Sequence, residues 1–147
     1  EAVGALTDRL ELRAQYTMND SEVTEGDPAR EGNELGLAPD HSASLWARYE
    51  LPAFDSPLPG AGSDRLFLGG GVVYVGDRFV DVDNSIELTS YTRVDLSARY
   101  VVAGNTELQL NLKNITDERY FIGGNTFGGA VRPGQPFTAA LTLRHEF

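Results

Sequence analysis

Tyr91-Thr-Arg-Val-Asp-Leu-Ser-Ala-Arg-Tyr100 and, beyond Ala103-Gly104-Asn105, Glu107-Leu-Gln-Leu-Asn-Leu-Lys113 alternate apolar and polar side chains with a period of two. The closing run, Phe137-Thr-Ala-Ala-Leu-Thr-Leu-Arg-His-Glu-Phe147, does the same. Period two is the mark of a β-strand with one apolar and one polar face. Val94, Leu96, Ala98, Tyr100 and Val102 share one side, and Arg93, Asp95, Ser97 and Arg99 the other. Leu108, Leu110 and Leu112 oppose Gln109, Asn111 and Lys113.

Working outward, the same alternation runs over residues 9–18 (Leu10, Leu12, Ala14, Tyr16 and Met18 on the apolar side) and 41–51 (His41, Ala43, Leu45, Ala47, Tyr49 and Leu51). Residues 66–76 are apolar on both faces and contain Gly69-Gly70-Gly71, which predicts a bend or a close backbone approach. The triplet is no phosphate loop, since a strand continues through Val72-Val73-Tyr74-Val75 where a helix would be needed. No segment reads as a helix. The expectation is an all-β, antiparallel fold of about six strands.

Composition narrows the function. The chain has 147 residues, a net charge of −10 and no cysteine, and Lys113 is its one lysine. The acidic balance argues against a nucleic-acid partner. The lack of cysteine removes disulfides, thiol catalysis and cysteine-bound metals. His41 and His145 lie on the apolar parity, so no nucleophile–base–orienter set is visible and no enzyme is expected. No cofactor motif is present. Residues 19–40 hold seven acidic residues against Arg30 and read as a solvated acidic loop.

Charge placement is the informative property. Arg9, Glu11, Arg13, Arg48, Glu50, Arg93, Asp95, Arg99, Lys113, Arg144 and Glu146 all fall on the polar parity. A soluble sandwich or ligand-binding barrel would turn the apolar parity inward. A transmembrane barrel would turn it toward lipid around a wet interior. Strands of about ten residues suit a tilted membrane crossing. Tyr16, Tyr49, Tyr74, Tyr100 and Phe147 near apolar-side strand ends suit an interfacial girdle. The connections 19–40, 77–90 and 122–136 are long and share one side, whereas 103–106 is tight; the long 52–64 connection is the exception. That asymmetry matches outer loops and periplasmic turns.

The run Gly69-Gly-Gly-Val-Val-Tyr-Val-Gly-Asp-Arg78, then Asp83-Asn84 and Leu88-Thr-Ser-Tyr-Thr-Arg-Val-Asp95, resembles late barrel strands of TonB-dependent outer-membrane receptors, in their ferric-siderophore branch. Leu110-Asn-Leu-Lys-Asn114-Ile-Thr-Asp117-Glu-Arg-Tyr120 resembles the family's penultimate-strand run. Pro133-Gly134-Gln-Pro136 before a strand ending in Phe147 resembles its terminus. Gly32-Asn33 through Pro39-Asp-His41 is similar to a loop entering an earlier strand.

The resemblance implies about six antiparallel strands of a barrel of about 22 strands. Residues 1–147 would be its C-terminal part, without the plug domain and earlier strands. It implies import of a ferric siderophore or similar scarce ligand across the outer membrane of a Gram-negative bacterium. Expected partners are outer-membrane lipid, TonB through the missing N-terminal region, and the barrel-assembly machinery through Phe147. The alternatives are a small complete structural or adhesive outer-membrane barrel, and a soluble ligand-binding barrel.

Bulky anionic ligands suit arginine and flat aromatic surface. The candidate contacts are Arg78, Phe79, Tyr91, Tyr120, Phe127 and Arg132. Strand parity puts Phe79 and Tyr91 on the interior side near the outer rim. Arg78, Phe127 and Arg132 fall in outer loops, where the sequence does not reveal orientation. Tyr120 turns inward only if the phase slips at a bulge near Asn114-Ile115, because Ile115 breaks the leucine parity.

Overall fold

The computed structural model describes residues 1–55, 63–102, 105–125 and 130–146. Among the described residues twelve strands form: β1 (Ala2–Thr7), β2 (Leu10–Met18), β3 (His41–Glu50), β4 (Phe54–Asp55), β5 (Ser63–Val75), β6 (Arg78–Phe79), β7 (Glu87–Leu88), β8 (Tyr91–Val102), β9 (Thr106–Lys113), β10 (Phe121–Asn125), β11 (Ala130–Pro133) and β12 (Thr138–His145). Among the described residues there is no helix. The long strands lie side by side in the order β1-β2-β3-β5-β8-β9-β12, with β4 added on β5. Every pair is antiparallel and joins strands adjacent along the meander. β1 is a strand beyond the alternating runs. It pairs with β2 through a hairpin in which the Thr7 hydroxyl accepts the Arg9 and Leu10 amides, and the register shifts between Ala5 and Thr7.

The alternation and the ladder agree residue by residue. Leu96 pairs with Leu112, Ala98 with Leu110 and Tyr100 with Leu108, while Ser97 pairs with Asn111 and Arg99 with Gln109. A slip of one residue would mix the faces, so the pattern enforces the register. The two faces differ sharply in burial. Leu45, Leu68, Leu96, Leu141 and Leu143 are 51, 45, 41, 67 and 69% exposed. Among the described residues nothing covers that face. Phe67, next to Leu68 but on the polar side, is 6% exposed. A soluble barrel buries its aliphatic side, and this sheet leaves it bare.

The glycine triplet does not bend β5, whose ladders to β3 and β8 run without a break. The close approach is by side chains and, at Gly71, by the Leu45 carbonyl as well. Trp46, on the polar face of β3, lies flat on Gly69 and Gly71. A Cβ on Gly71 would stand 2.1 Å from the indole Cε3, and one on Gly69 would stand 3.0 Å from Cζ2.

Tyr16, Tyr49 and Tyr74 are exposed on the apolar face, as a girdle requires. Tyr100 is not free: it donates to the buried Asp64 carboxylate and stacks on Phe54 at 6.1 Å. Phe147, and residues 56–62 of the long 52–64 connection, lie outside the described residues. The tight 103–106 connection is seen in the pairing of Val102 with Thr106.

Candidate ligand site at the loop edge

The connections 19–40, 76–90 and 114–137 leave the same edge of the sheet, and they are knitted together. Leu37 N donates to Phe79 O at 2.7 Å. Asn33 Nδ2 donates to Val82 O at 2.9 Å, and Asn84 bonds both the amide and the carbonyl of Glu34. Arg30 and Asp83 form an ion pair at 2.6 Å. Residues 19–40 are therefore not a freely solvated loop. Their polar groups serve the 76–90 segment, because a loop folded on another loop must satisfy its backbone with side chains. Asp81 is spent on Ser85, Asp77 on the Ser90 amide and Asp27 on the Ala29 amide.

The segment after β9 is set by Asn114, which is fully buried. Its amide donates to Asp95 Oδ1 at 2.8 Å. Its side-chain Nδ2 donates to Glu118 O and Gln135 O, and its Oδ1 accepts the Glu118 amide. Asn114 and Asp117 both adopt left-handed backbone, with φ of 52° and 50°. Asparagine and aspartate tolerate that region best after glycine. The Asp117 carboxylate accepts the Phe137 amide, tying the end of the excursion to the entry of β12. The phase change near Ile115 is thus a pair of left-handed residues closing a turn, not a bulge inside a strand. Its consequence is the one a slip would have: Tyr120 turns to the polar face and is 6% exposed.

Tyr120 stacks on Tyr91 with ring centroids 4.1 Å apart and planes 24° from parallel. The Arg78 guanidinium sits 5.7 Å from the Tyr91 ring centre, within cation–π range. Arg78 is 5% exposed and donates to Gly76 O at 3.2 Å and Phe121 O at 2.7 Å. Three of the six candidate contacts, Arg78, Tyr91 and Tyr120, therefore form one cluster. In it Arg78 and Tyr120 are covered, and Tyr91 keeps a half-buried ring. Phe79 is half-buried and pairs with Glu87 across β6 and β7. Phe127 lies outside the described residues.

Arg132 is elsewhere, on the exposed hairpin β10–β11, where it pairs with Gly123. With Leu37, Gly124, Val131 and Pro133 it lines an open cleft of about 470 Å³ between residues 19–40 and the hairpin. Leu37 is 47% exposed and holds φ at 60°, an unfavourable backbone for a leucine. Such strain persists only where the surroundings impose it, here the bond from Leu37 N to Phe79 O. Among the described residues, Arg132 belongs to no ion pair.

A second polar-face cluster was not anticipated from the sequence. Phe67 is ringed by Arg48, Arg65 and Arg99, with guanidinium carbons 5.5, 4.9 and 5.4 Å from its centroid. Each arginine also pairs with a glutamate: Glu11 at 3.1 Å, Glu50 at 2.8 Å and Glu107 at 2.6 Å. The signal was present as Phe67 and Trp46, two aromatics on the polar parity. Leu37 and Asn114 carried no such signal, since their roles depend on backbone and partners far away in the chain.

A single-layer antiparallel meander with its aliphatic face bare, its polar face lined by paired charges and its long loops on one edge is a stretch of transmembrane β-barrel wall. Residues 1–115 match the model of the family "TonB dependent receptor-like, beta-barrel", and the chain belongs to that family. Its members are receptors of the outer membrane of Gram-negative bacteria.

The chain is 38% identical over 146 residues to the metal-pseudopaline receptor CntO of Pseudomonas aeruginosa strain PAO1, covering 97% of this chain and 19% of the relative. It is 37% identical over 149 residues to the ferrichrome outer membrane transporter/phage receptor of Escherichia coli K12, covering 98% and 19%. The crystal structure of the siderophore receptor PiuA from Acinetobacter baumannii superposes with a TM-score of 0.77 at 30% identity, over 97% of this chain and 20% of that one. The chain thus spans about a fifth of the length of the relatives it matches.

Proposed function

We propose that the whole protein is a TonB-dependent importer of a ferric siderophore or a similar metal chelate, and that residues 1–147 are the C-terminal part of its barrel, with plug and earlier strands upstream. The observation that carries this reading is the two-faced sheet, with leucines bare on one side and Arg–Glu pairs on the other. A wall between lipid and a wet interior needs that arrangement. The named substrates of the relatives support a metal chelate as the ligand class. Energy would come through TonB, engaged by the region preceding this chain. Assembly would be guided by the terminal Phe147. The protein acts by binding and transport, not by catalysis.

The cleft between Leu37 and Arg132 is the ligand contact this chain contributes, with the half-buried Tyr91 and Phe79 behind it. A guanidinium that joins no ion pair among the described residues, beside an apolar wall, suits a bulky anionic chelate. Arg78 and Tyr120 support the rim from beneath. Phe127, near the hairpin tip in sequence, stays a candidate contact. The test is uptake of radiolabelled ferrichrome and of a ferric catecholate by cells deleted for the gene and complemented with it. Uptake of one complex restored only by the complementing gene supports the reading; absence of uptake for every chelate tried, with the protein present in the outer membrane, rejects it. A second reading, a chelate of a metal other than iron, is favoured by the 38% identity to a metal-pseudopaline receptor. The same assay with labelled zinc or nickel chelates separates the two.

A further inference from the structure

We infer that Asp95, Arg93 and Tyr120 are positioning residues that set the loop-edge cleft from the barrel wall. The contacts run unbroken from wall to rim. Asp95 on β8 accepts the Asn114 amide through Oδ1 and pairs with Arg93 through Oδ2 at 3.0 Å. Asn114, held by Asp95, binds Glu118 O and Gln135 O, Gly134 next to Gln135 donates to Tyr120 O, and Arg93 faces the Tyr120 side chain. Tyr120 stacks on Tyr91, Tyr91 lies under Arg78, and Arg78 donates to Phe121 O, the first residue of β10. The hairpin that carries Arg132 therefore starts from a residue whose carbonyl is gripped through this chain. The opposite side of the cleft, Leu37, is tied to Phe79 O, next to Arg78.

Arg78 and Phe79 thus hold both walls of the cleft, and their seat is the Tyr91–Tyr120 stack. Asp95 and Arg93 touch no cleft atom. They act by holding Tyr120, with a charge pair that is only partly exposed, at 27% for the Arg93 side chain and 15% for Asp95. Ion pairs shielded from water in this way hold geometry better than surface pairs. The inference uses the reading of the cleft as a ligand mouth for its purpose only; the coupling itself is a matter of distances.

The experiment measures the width of the cleft without any ligand. Spin labels on Leu35→Cys and Ile122→Cys, both at exposed positions, report the loop-to-hairpin distance in the full-length receptor, in a background free of other cysteines. Asp95→Asn keeps an oxygen for the Asn114 amide but removes the charge that holds Arg93. Tyr120→Phe keeps the stack but removes the hydroxyl. The expected result is a narrow distance distribution in the parent that broadens in both variants. Phe67→Leu, placed away from this chain of contacts, should leave it narrow even where it lowers stability. An unchanged distribution in both variants overturns the inference, as does equal broadening in Phe67→Leu. Should Asp95→Asn fail to assemble, Tyr120→Phe alone decides. Because no ligand is present, failure here leaves the transport reading standing, and failed uptake leaves this coupling standing.

Discussion

The ring of Tyr120 occupies the space that any side chain on Gly134 would need. A Cβ there would lie 2.1 Å from Cε2 and 2.2 Å from Cζ, and the Gly134 amide also donates to Tyr120 O at 2.7 Å. The Pro133-Gly134 step is thus required by an aromatic ring fourteen residues upstream. Gly134→Ala should push Tyr120 off Tyr91 and cost about 1–3 kcal/mol, the usual range for overpacking. Thermal unfolding of the full-length receptor checks this, together with the double variant Gly134→Ala/Tyr120→Ala. The two changes should be strongly non-additive. Additive losses would mean that the contact is not what constrains Gly134.

Trp46 and Gly71 make the matching case on the wall itself. Gly71→Val should destabilise more than Gly70→Val. At Gly71 the new Cβ meets both the indole at 2.1 Å and Leu45 O at 2.8 Å, whereas at Gly70 its tightest contact is the Leu96 methyl at 3.0 Å and the nearest carbonyl, Asp95 O, is at an ordinary 3.8 Å. A methyl can rotate away, while a strand carbonyl cannot move without opening the ladder. Parallel unfolding curves of the two variants give the comparison, and equal losses would contradict the placement of the indole.

Leu110 and Asn111 are neighbours on opposite faces of β9. Arginine at Leu110 should cost about 2–4 kcal/mol if the site lies near the membrane midplane. Arginine at Asn111, which faces the paired charges, should be tolerated. Folding into liposomes followed by denaturant titration measures both. Equal tolerance would mean that the leucine face does not meet lipid.

The loop edge should lie outside the cell. A protease-cleavable tag at Gly26, an exposed position with φ of 141°, should be cut on intact cells. A tag next to Asn105 should be protected until the outer membrane is opened. The reverse pattern would invert the topology.

Arg132→Ala and Leu37→Gly address the cleft. Leu37→Gly relieves a left-handed leucine, so stability should hold or rise slightly while the apolar wall is lost. Both variants should weaken chelate binding roughly tenfold, on the order of 1–1.5 kcal/mol per lost contact, without lowering surface abundance. Unchanged affinity at normal abundance would move the ligand contacts to other parts of the receptor.

The strand alternation set the faces and the register of the long strands. Period-two leucines and charges, spaced as in Leu108-Gln-Leu-Asn-Leu112, admit one register, because a slip of one residue exchanges the faces. The long connections 19–40, 77–90 and 122–136 then fall on one side, with 52–64 the exception, and the motifs around Asn114, Gly134 and Arg78 were enough to point to the family. What parity could not reveal was which face stays bare, since alternation is the same for a soluble barrel and a membrane wall. Exposure of Leu141 and Leu143 beside burial of Phe67 decided that.

The site was legible only in part. Tyr91 sits on a strand, so its direction could be read from its neighbours. Tyr120, Arg78 and Arg132 sit beyond strand ends, where direction depends on backbone angles and distant partners. The left-handed Asn114 and Asp117, the Asp95 carboxylate nineteen residues away from Asn114 and the Tyr120 ring over Gly134 are relations between segments that only folding brings into contact. Local pattern determines faces and pairing because both repeat every two residues. It carries no record of such single, long-range contacts, and these are what turned Arg78 from a candidate ligand contact into a buried support.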